Sequence, residues 1–288
     1  MIRETIGFRI FNGINYIFFV GVGVLMLYPF WYVLMYSLSD SAAVSINESF
    51  LLPSSFTLAA YEQVFQERTM LTGLLNSLLI ACAGTAINLL LTALTAYPLS
   101  RGSLTGRMLL FGFITFTLLF HGGIIPTYLV VRSYHLVNTY WSVMLPTAVN
   151  VYNLLVMMKF FKNIPDALIE SARIDGANDI GVFFKIVARL SAPVFAAIGL
   201  FYAVYHWNDF FQAMLYLNDK DKWPLQLVLR QLLLQSDMLE KSGSLGGHVS
   251  SESFKMAAVI VTVTPIVLVY PFLQKYFIKG IMLGSVKG

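Results

Sequence analysis

The stretch Lys159–Pro193, KFFKNIPDALIESARIDGANDIGVFFKIVARLSAP, is a charged, helix-patterned segment with membrane-length apolar runs on both sides. Its first half reads as a helix. Asn163 can cap the N-terminus, Pro165 suits a first turn because it lacks the N–H that would go unpaired there, and Asp166 complements the positive helix end. Gly176 can take the left-handed conformation that other residues resist, so the helix is expected to stop there. Asn178 or Asp179 can cap a second helix that runs into the next apolar run near Pro193. Ile164, Leu168 and Ala172 fall on one side of the first helix, and Phe183, Phe184 and Ile186 follow in the second. Apolar residues kept near water predict a docking knob for a partner. The blander reading is a solvated loop, in which Glu170 and Arg173 form an i,i+3 pair worth about 0.2–0.5 kcal/mol.

The runs around this segment fix its setting. Of the 288 residues 57% are hydrophobic and only 12% charged, about half the charge of a soluble domain. No charge occurs between Arg68 and Arg101, nor between Arg107 and Arg132. Six apolar stretches, near 14–36, 71–99, 108–131, 141–158, 191–217 and 255–274, are long enough to cross a core of about 30 Å. The expected fold is therefore an all-α polytopic membrane protein of six transmembrane helices. Its parts are an N-terminal segment 1–13, a six-span domain 14–274 with loops 159–190 and 218–254, and a tail 275–288. Arg3 and Arg9 precede an apolar segment too long for a signal peptide, so the first span is read as a retained anchor.

An even number of spans puts both termini on one side. Placing 1–13, 100–107, 159–190 and 275–288 in the cytoplasm gives that side twelve Lys/Arg and five acids. The other side then holds seven Lys/Arg and nine acids, with Asp209 left in the membrane. The positive-inside rule selects this orientation, and scattered basic residues of this kind reflect topology, not nucleic-acid binding.

The outer loops differ in character. Ser37–Met70 is polar and acidic, with Phe50-Leu-Leu-Pro53 and Phe56-Thr-Leu58 as a surface-lying apolar strip. Within 218–254, Trp223–Glu240 is amphipathic and suits a membrane interface or a partner, and SGSLGGHVSSES reads as a flexible linker. Gly and Pro inside the spans, among them Gly84, Gly122, Gly123, Pro126 and Pro146, suit helices that kink or approach closely.

Catalytic chemistry is poorly served. There is no phosphate-binding G-x-x-x-x-G-K-[ST], no H-E-x-x-H, no G-x-S-x-G and no His/Cys ligand set; His121, His135, His206 and His248 are dispersed. Asp175-Gly176 opens a phosphotransferase-like motif whose further acids are missing. The single cysteine, Cys82, sits in an apolar run and reads as a small packing residue. One charge lies inside a span: Asp209, in His206-Trp207-Asn208-Asp209. Trp207, Asn208 and Asp209 can line a path for a sugar-like solute, Trp207 stacking on a ring. Equally, Asp209 can sit at the outer interface with Trp207 as an aromatic-belt anchor.

These residues carry a resemblance. Glu170-Ser171-Ala172-x3-Gly176-x9-Ile186 resembles the EAA loop of ABC-transporter permeases, and Ala172-Arg-Ile-Asp-Gly-Ala177 looks like its carbohydrate-uptake version. The likeness extends to Asn76-Ser77-Leu78, Ala96-Tyr97-Pro-Leu-Ser-Arg101, Gly122-Gly-Ile-Ile-Pro126, Trp207-Asn-Asp209 and Gly284-Ser-Val-Lys-Gly288. The set is similar to the six-span permease subunit of the maltose-type family, nearest to the lipoprotein/aldouronate-type oligosaccharide permeases.

That resemblance implies a permease subunit of an ABC importer in the bacterial plasma membrane, both termini cytoplasmic, moving a sugar or oligosaccharide. Its implied partners are a second permease subunit, giving a heterodimer, two ATPase subunits and an extracytoplasmic solute-binding protein. ATP and Mg would be handled by the ATPases, with no cofactor or catalytic residue in this chain. Asp166, Glu170, Ser171, Ala172, Arg173, Asp175, Gly176 and Ala177 would form the coupling element. The tail Gly284–Gly288 would reach the ATPase, and the 218–254 loop would meet the binding protein. Two positions depart from the pattern: Ser171 stands for a second alanine, and Ala188-Arg189 for the usual Leu-Pro, where Arg189 can snorkel to phosphate head groups. The competing class is a stand-alone secondary transporter or membrane enzyme, which would act without an ATPase.

Overall fold

The computed structural model describes residues 6–39, 52–53, 55–102, 104–120, 122–241 and 251–285. Among them the chain is helical, with one isolated β-bridge between Ser39 and Phe56. It divides into two compact units, Met1–Arg68 with Gln231–Val263, and Thr69–Arg230 with Thr264–Gly288.

In the first unit, α1 (Ile6–Ser37) is apolar on all sides, and its large hydrophobic side chains from Phe8 to Trp31, Val22 apart, stand 44–76% exposed. An apolar helix left uncovered by protein requires lipid as its solvent. Only its end is buried, where Met35 and Tyr36 pack with Tyr32, Leu38 and Met256. The expected polar loop 37–70 contains a helix, α2 (Ala59–Gln66), which buries Ala60 and Val64. It is fastened by Thr57 N–H to the Leu38 carbonyl at 2.9 Å and by the Ser37 and Tyr61 hydroxyls at 2.7 Å. Phe50 and Leu51 of the expected apolar strip lie outside the described residues.

The second unit holds α3 from Thr69 onward (α3 is Arg68–Ser100), then α4 (Arg107–Leu119), α5 (Ile124–Ser133), α6 (Trp141–Met144) and α7 (Val151–Lys162). After these come α8 (Asp166–Ile174), α9 (Asp179–Val182), a π-helical turn (Phe183–Val187), α10 (Ala188–Leu190), α11 (Ala192–Asn208) and α12 (Phe211–Tyr216). Helix α13 (Leu225–Lys241) gives its first residues to this unit, and α14 (Ser251–Ser285) everything from Thr264.

Three expected continuous spans are each two helices. The 108–131 run breaks after α4 at Phe120, and Gly123, at φ +89°, starts α5 with Pro126 in its first turn. A left-handed glycine and a residue without an N–H end one helix and begin the next. The 141–158 run breaks around Pro146, and Asn150 caps α7 by accepting the Asn153 N–H at 3.1 Å. The 191–217 run breaks at Asp209, whose carboxylate accepts the Gln212 N–H at 3.1 Å and so starts α12. By length and composition three described helices can cross a bilayer, Gly7–Ser37, Arg68–Ser100 and Glu252–Val269. Asp179–Leu190 with Ala192–Asn208, bent by 82°, makes a fourth if taken as one span.

The end helices are long. Helix α1 begins inside the segment assigned to the N-terminal tail, and α14 continues through 274 to Ser285. The amphipathic piece after Trp223 does not lie on an interface along its first turn. Leu225, Leu227 and Val228 are buried, Leu227 among Ile80, Val143, Met144, Ala213 and Leu217. Most of the Ser/Gly run, 242–250, and residues 286–288 lie outside the described residues.

Candidate functional site

The helix–turn–helix begins two residues later than the sequence suggests. Asn163 is not its N-cap; it ends α7, with its N–H on the Phe160 carbonyl at 3.1 Å. Pro165 precedes α8 in an extended conformation, and Asp166 opens it. The other end forms as its residues require. Gly176 has φ +82°, its N–H reaches the Arg173 carbonyl at 3.0 Å, and the Ala177 N–H reaches the Ala172 carbonyl at 2.9 Å. This pair of bonds is the Schellman arrangement, which satisfies carbonyls that a helix end otherwise leaves open. Asn178 then caps α9 through the Gly181 N–H at 2.8 Å.

The two faces of this element are sharply different. Ile164, Ile169, Ala172, Val182, Phe183 and Val187 are buried in one cluster with Ala93, Ala96 and Leu99 of α3, Leu154, Met157 and Phe161 of α7, and Val194, Ile198 and Tyr202 of α11. Ile164 and Ala172 therefore face inward and are no part of an exposed knob. Outward stand Leu168 (43% exposed), Ile174 (85%), Ile180 (68%) and Phe184 (53%), with Glu170, Ser171, Arg173 and Asp175 around them. Ile174 and Ile180 were not singled out in the sequence because each follows the outward face only once the turn at Gly176 is known.

Two ion pairs hold the element. Arg173 meets Asp179 at 2.8 Å across the turn, and the carboxylate holds that guanidinium above its already high range. Arg101, at the end of α3, meets Asp166 at 3.0 Å and donates to the Phe161 carbonyl at 3.2 Å. Its guanidinium also lies 5.6 Å from the Tyr97 ring, and Tyr97 in turn packs 5.3 Å from Phe183. Arg101, the last residue of the Ala96–Arg101 stretch, thus joins three helix ends.

Beyond the π-turn, Ser191 and Pro193 set the direction of α11. Proline is tolerated at the second helical position because no intrahelical partner awaits its N–H. Arg189, which with Ala188 stands where the resemblance implies Leu-Pro, is exposed, and so is its neighbour Leu190. Above this, α11 is tied to α3 by Thr92 and Tyr202 (2.7 Å) and by Asn88 and His206 (3.0 Å), and the Tyr202 hydroxyl also accepts the Asn150 N–H at 3.0 Å.

Trp207, Asn208 and Asp209 do not present one surface. Trp207 is 5% exposed and lines an apolar cavity with Leu78, Cys82, Leu89 and Pro265, Asn208 is exposed, and Asp209 ends α11 with its carboxylate on the Gln212 N–H. A different cleft, of about 670 Å³, opens beside the 145–150 break and is lined by Thr117, Asn150, Tyr152, Asn153, Phe201 and Tyr205 among others. Farther out, Asn76 donates to the Asp221 and Trp223 carbonyls (2.8 and 3.0 Å) and accepts from Tyr140 (2.8 Å), while the Ser77 hydroxyl accepts the Leu225 N–H (2.8 Å). The Asn76-Ser77 motif thus anchors the beginning of the 218–254 loop. No group of three or more His, Cys, Asp or Glu that could hold a metal occurs among the described residues.

The comparisons fit this architecture. Residues 88–282 match the family described as binding-protein-dependent transport system inner membrane component. Protein LplC of Bacillus subtilis (strain 168) is 45% identical over 282 residues, covering 97% of this chain and 96% of its own. The polygalacturonan/rhamnogalacturonan transport system permease protein YtcP of the same organism is 45% identical over 285 residues, covering 97% and 99%. A chain in the crystal structure of a bacterial ABC transporter involved in the import of the acidic polysaccharide alginate superposes with a TM-score of 0.89 at 30% identity, covering 96% of this chain and 100% of that one. With two thirds of its length inside the family match, this chain belongs to the inner membrane components of binding-protein-dependent transport systems.

Proposed function

We propose that this chain is the permease subunit of an ABC importer for an oligosaccharide, one half of a path completed by a second permease subunit. Six membrane passages carry it, three of them broken, with both termini in the cytoplasm. An extracytoplasmic binding protein delivers the solute, and two ATPase subunits bind and hydrolyse MgATP below. A carbohydrate cargo is supported by the relative named for polygalacturonan and rhamnogalacturonan and by the structural neighbour named for alginate.

The observation that carries the coupling part is the division of α8–α9 into two faces. Its inner face belongs to the same apolar cluster as α3, α7 and α11, while Ile174, Ile180, Phe184 and Glu170 point away from the protein. Close-packed interiors transmit displacement instead of absorbing it. An ATPase cleft that grips the outer face therefore moves three membrane helices at once. Asp166, Glu170, Ser171, Arg173 and Asp175 are contacts in this reading, and Ala172, Gly176 and Ala177 hold the shape.

The test is Glu170→Lys in the complete importer in vesicles. The variant is expected to insert and assemble while ATP-driven uptake falls at least tenfold. Uptake and solute-stimulated ATP hydrolysis at unaltered rates would exclude the coupling role. Uptake by the purified chain without any ATPase would favour a secondary transporter.

A further inference from the structure

The cleft beside the break in 141–158 has the chemistry of a ligand site and is not part of the coupling element. Non-helical backbone at membrane depth is tolerated where protein buries it or where it lines a water-filled cavity. The non-helical segment from Leu145 to Asn150 borders a cavity: Pro146, Thr147, Val149 and Asn150 all line the cleft. Three aromatic rings border the opening and are part-exposed, Tyr152 at 62%, Phe201 at 43% and Tyr205 at 41%. Asn153, 6% exposed, also lines it, and its side-chain amide has no hydrogen-bond partner among the described residues. Not one of the cleft's lining residues is charged.

Resting on the importer reading, we propose that this cleft is a subsite within this subunit that holds the uncharged face of a pyranose ring of the oligosaccharide in transit. The C–H face of such a ring suits a free tyrosine ring, and the hydroxyls at its rim suit the Asn150 and Asn153 amides. The volume, about 670 Å³, is within the range of small-molecule pockets. A carboxylate placed here would lose its water without gaining a cation, which is costly. Any acid group on the solute therefore points out of this cleft, toward the rest of the path. The subsite works by stacking, not by charge.

The experiment uses the complete importer in vesicles and a radiolabelled rhamnogalacturonan tetrasaccharide as probe. Tyr152→Ala is expected to lower ATP-driven uptake at least fivefold, and Tyr152→Phe, which keeps the ring, to retain at least half. In a Cys82→Ser background, the tetrasaccharide should slow maleimide alkylation of the Tyr152→Cys variant at least threefold. Uptake by Tyr152→Ala within twofold of the unaltered complex, or a Tyr152→Phe loss equal to that of alanine, or alkylation unaffected by the solute, would each overturn the subsite. If the unaltered complex shows no ATP-driven uptake of the tetrasaccharide, the cargo reading fails and the subsite with it. That outcome is separate from a loss confined to Tyr152 variants.

Discussion

The space that a side chain at position 84 would fill is taken by His206: a Cβ built on Gly84 would lie 2.6 Å from the imidazole Nε2. The same nitrogen is 3.0 Å from the Asn88 amide, one helical turn along α3. Gly84 and Asn88 thus form a notch and a tether for one ring, and His206 is 1% exposed as a result. Gly84→Ala should push α11 away or turn the imidazole off Asn88. Overpacking of this kind costs about 1–3 kcal/mol. The expected outcome is a protein that inserts but unfolds at lower temperature in detergent, with the loss partly recovered by His206→Ala in the same chain. An unaltered midpoint for Gly84→Ala would show that the contact is easily relieved.

The two partners of the Arg101–Asp166 pair should respond unequally. Asp166 is 83% exposed, so the ion pair by itself is worth at most about 1 kcal/mol, and Asp166→Asn should leave stability nearly unchanged. Arg101 has only 15% of its side chain exposed, and it also serves the Phe161 carbonyl and covers the Tyr97 ring. Arg101→Ala removes all three, and about 1.5–3 kcal/mol of stability should go with the charged hydrogen bond alone. Thermal unfolding of the two variants side by side checks the asymmetry. Equal effects would mean that the pair, not the carbonyl, holds the helix ends together.

Gly176 separates a conformational requirement from a steric one. Nothing lies within 4 Å of a Cβ placed there, yet φ is +82°. Gly176→Val therefore meets no neighbour but must hold a β-branched residue in the left-handed region, a genuine strain of about 1–3 kcal/mol. Gly176→Asn should be far milder, since asparagine visits that region readily. Uptake and ATP hydrolysis by the reconstituted importer should rank glycine, then asparagine, then valine. A valine variant as active as glycine would mean that the turn between α8 and α9 need not be kept for coupling.

How much of this was legible beforehand follows local chemistry. The stop at Gly176, the Asn178 cap and the apolar runs are written in short-range preferences that the fold left intact. The broken spans were foreshadowed by Gly122, Gly123 and Pro146, but hydropathy does not distinguish a kink from a full break, because both keep the run apolar. Which side of α8 faces inward was harder. Ile164, Leu168 and Ala172 share a stripe by spacing, yet α8 begins only at Asp166, so Ile164 is buried from the preceding turn and Ile169, not Leu168, takes the inner position in the helix. The cleft was not legible at all: Thr117, Tyr152 and Tyr205 are brought together by three separate helices and share no motif.

The anchoring of the 218–224 segment can be tested at Asn138, a residue with φ +63°. Its side-chain oxygen accepts the N–H groups of Asn218 and Asp219 at 3.2 and 3.0 Å, and its carbonyl accepts the Lys222 ammonium at 3.0 Å. Asn138→Gly would keep the backbone conformation and lose the side-chain acceptor, leaving two N–H groups to find water. Asn138→Asp would keep the acceptor and add a charge beside Lys222, which already meets Asp219 at 3.4 Å. A lost acceptor of this kind costs about 1–3 kcal/mol where water cannot replace it and much less where it can. Limited proteolysis should therefore cut the 218–224 segment faster in Asn138→Gly than in Asn138→Asp. Asn76→Ala, which frees the carbonyls of Asp221 and Trp223 and the Tyr140 hydroxyl together, should give the fastest cleavage of the three. If all three resist as the unaltered chain does, the segment is held by the apolar contacts of Leu225 and Leu227 and not by its hydrogen bonds.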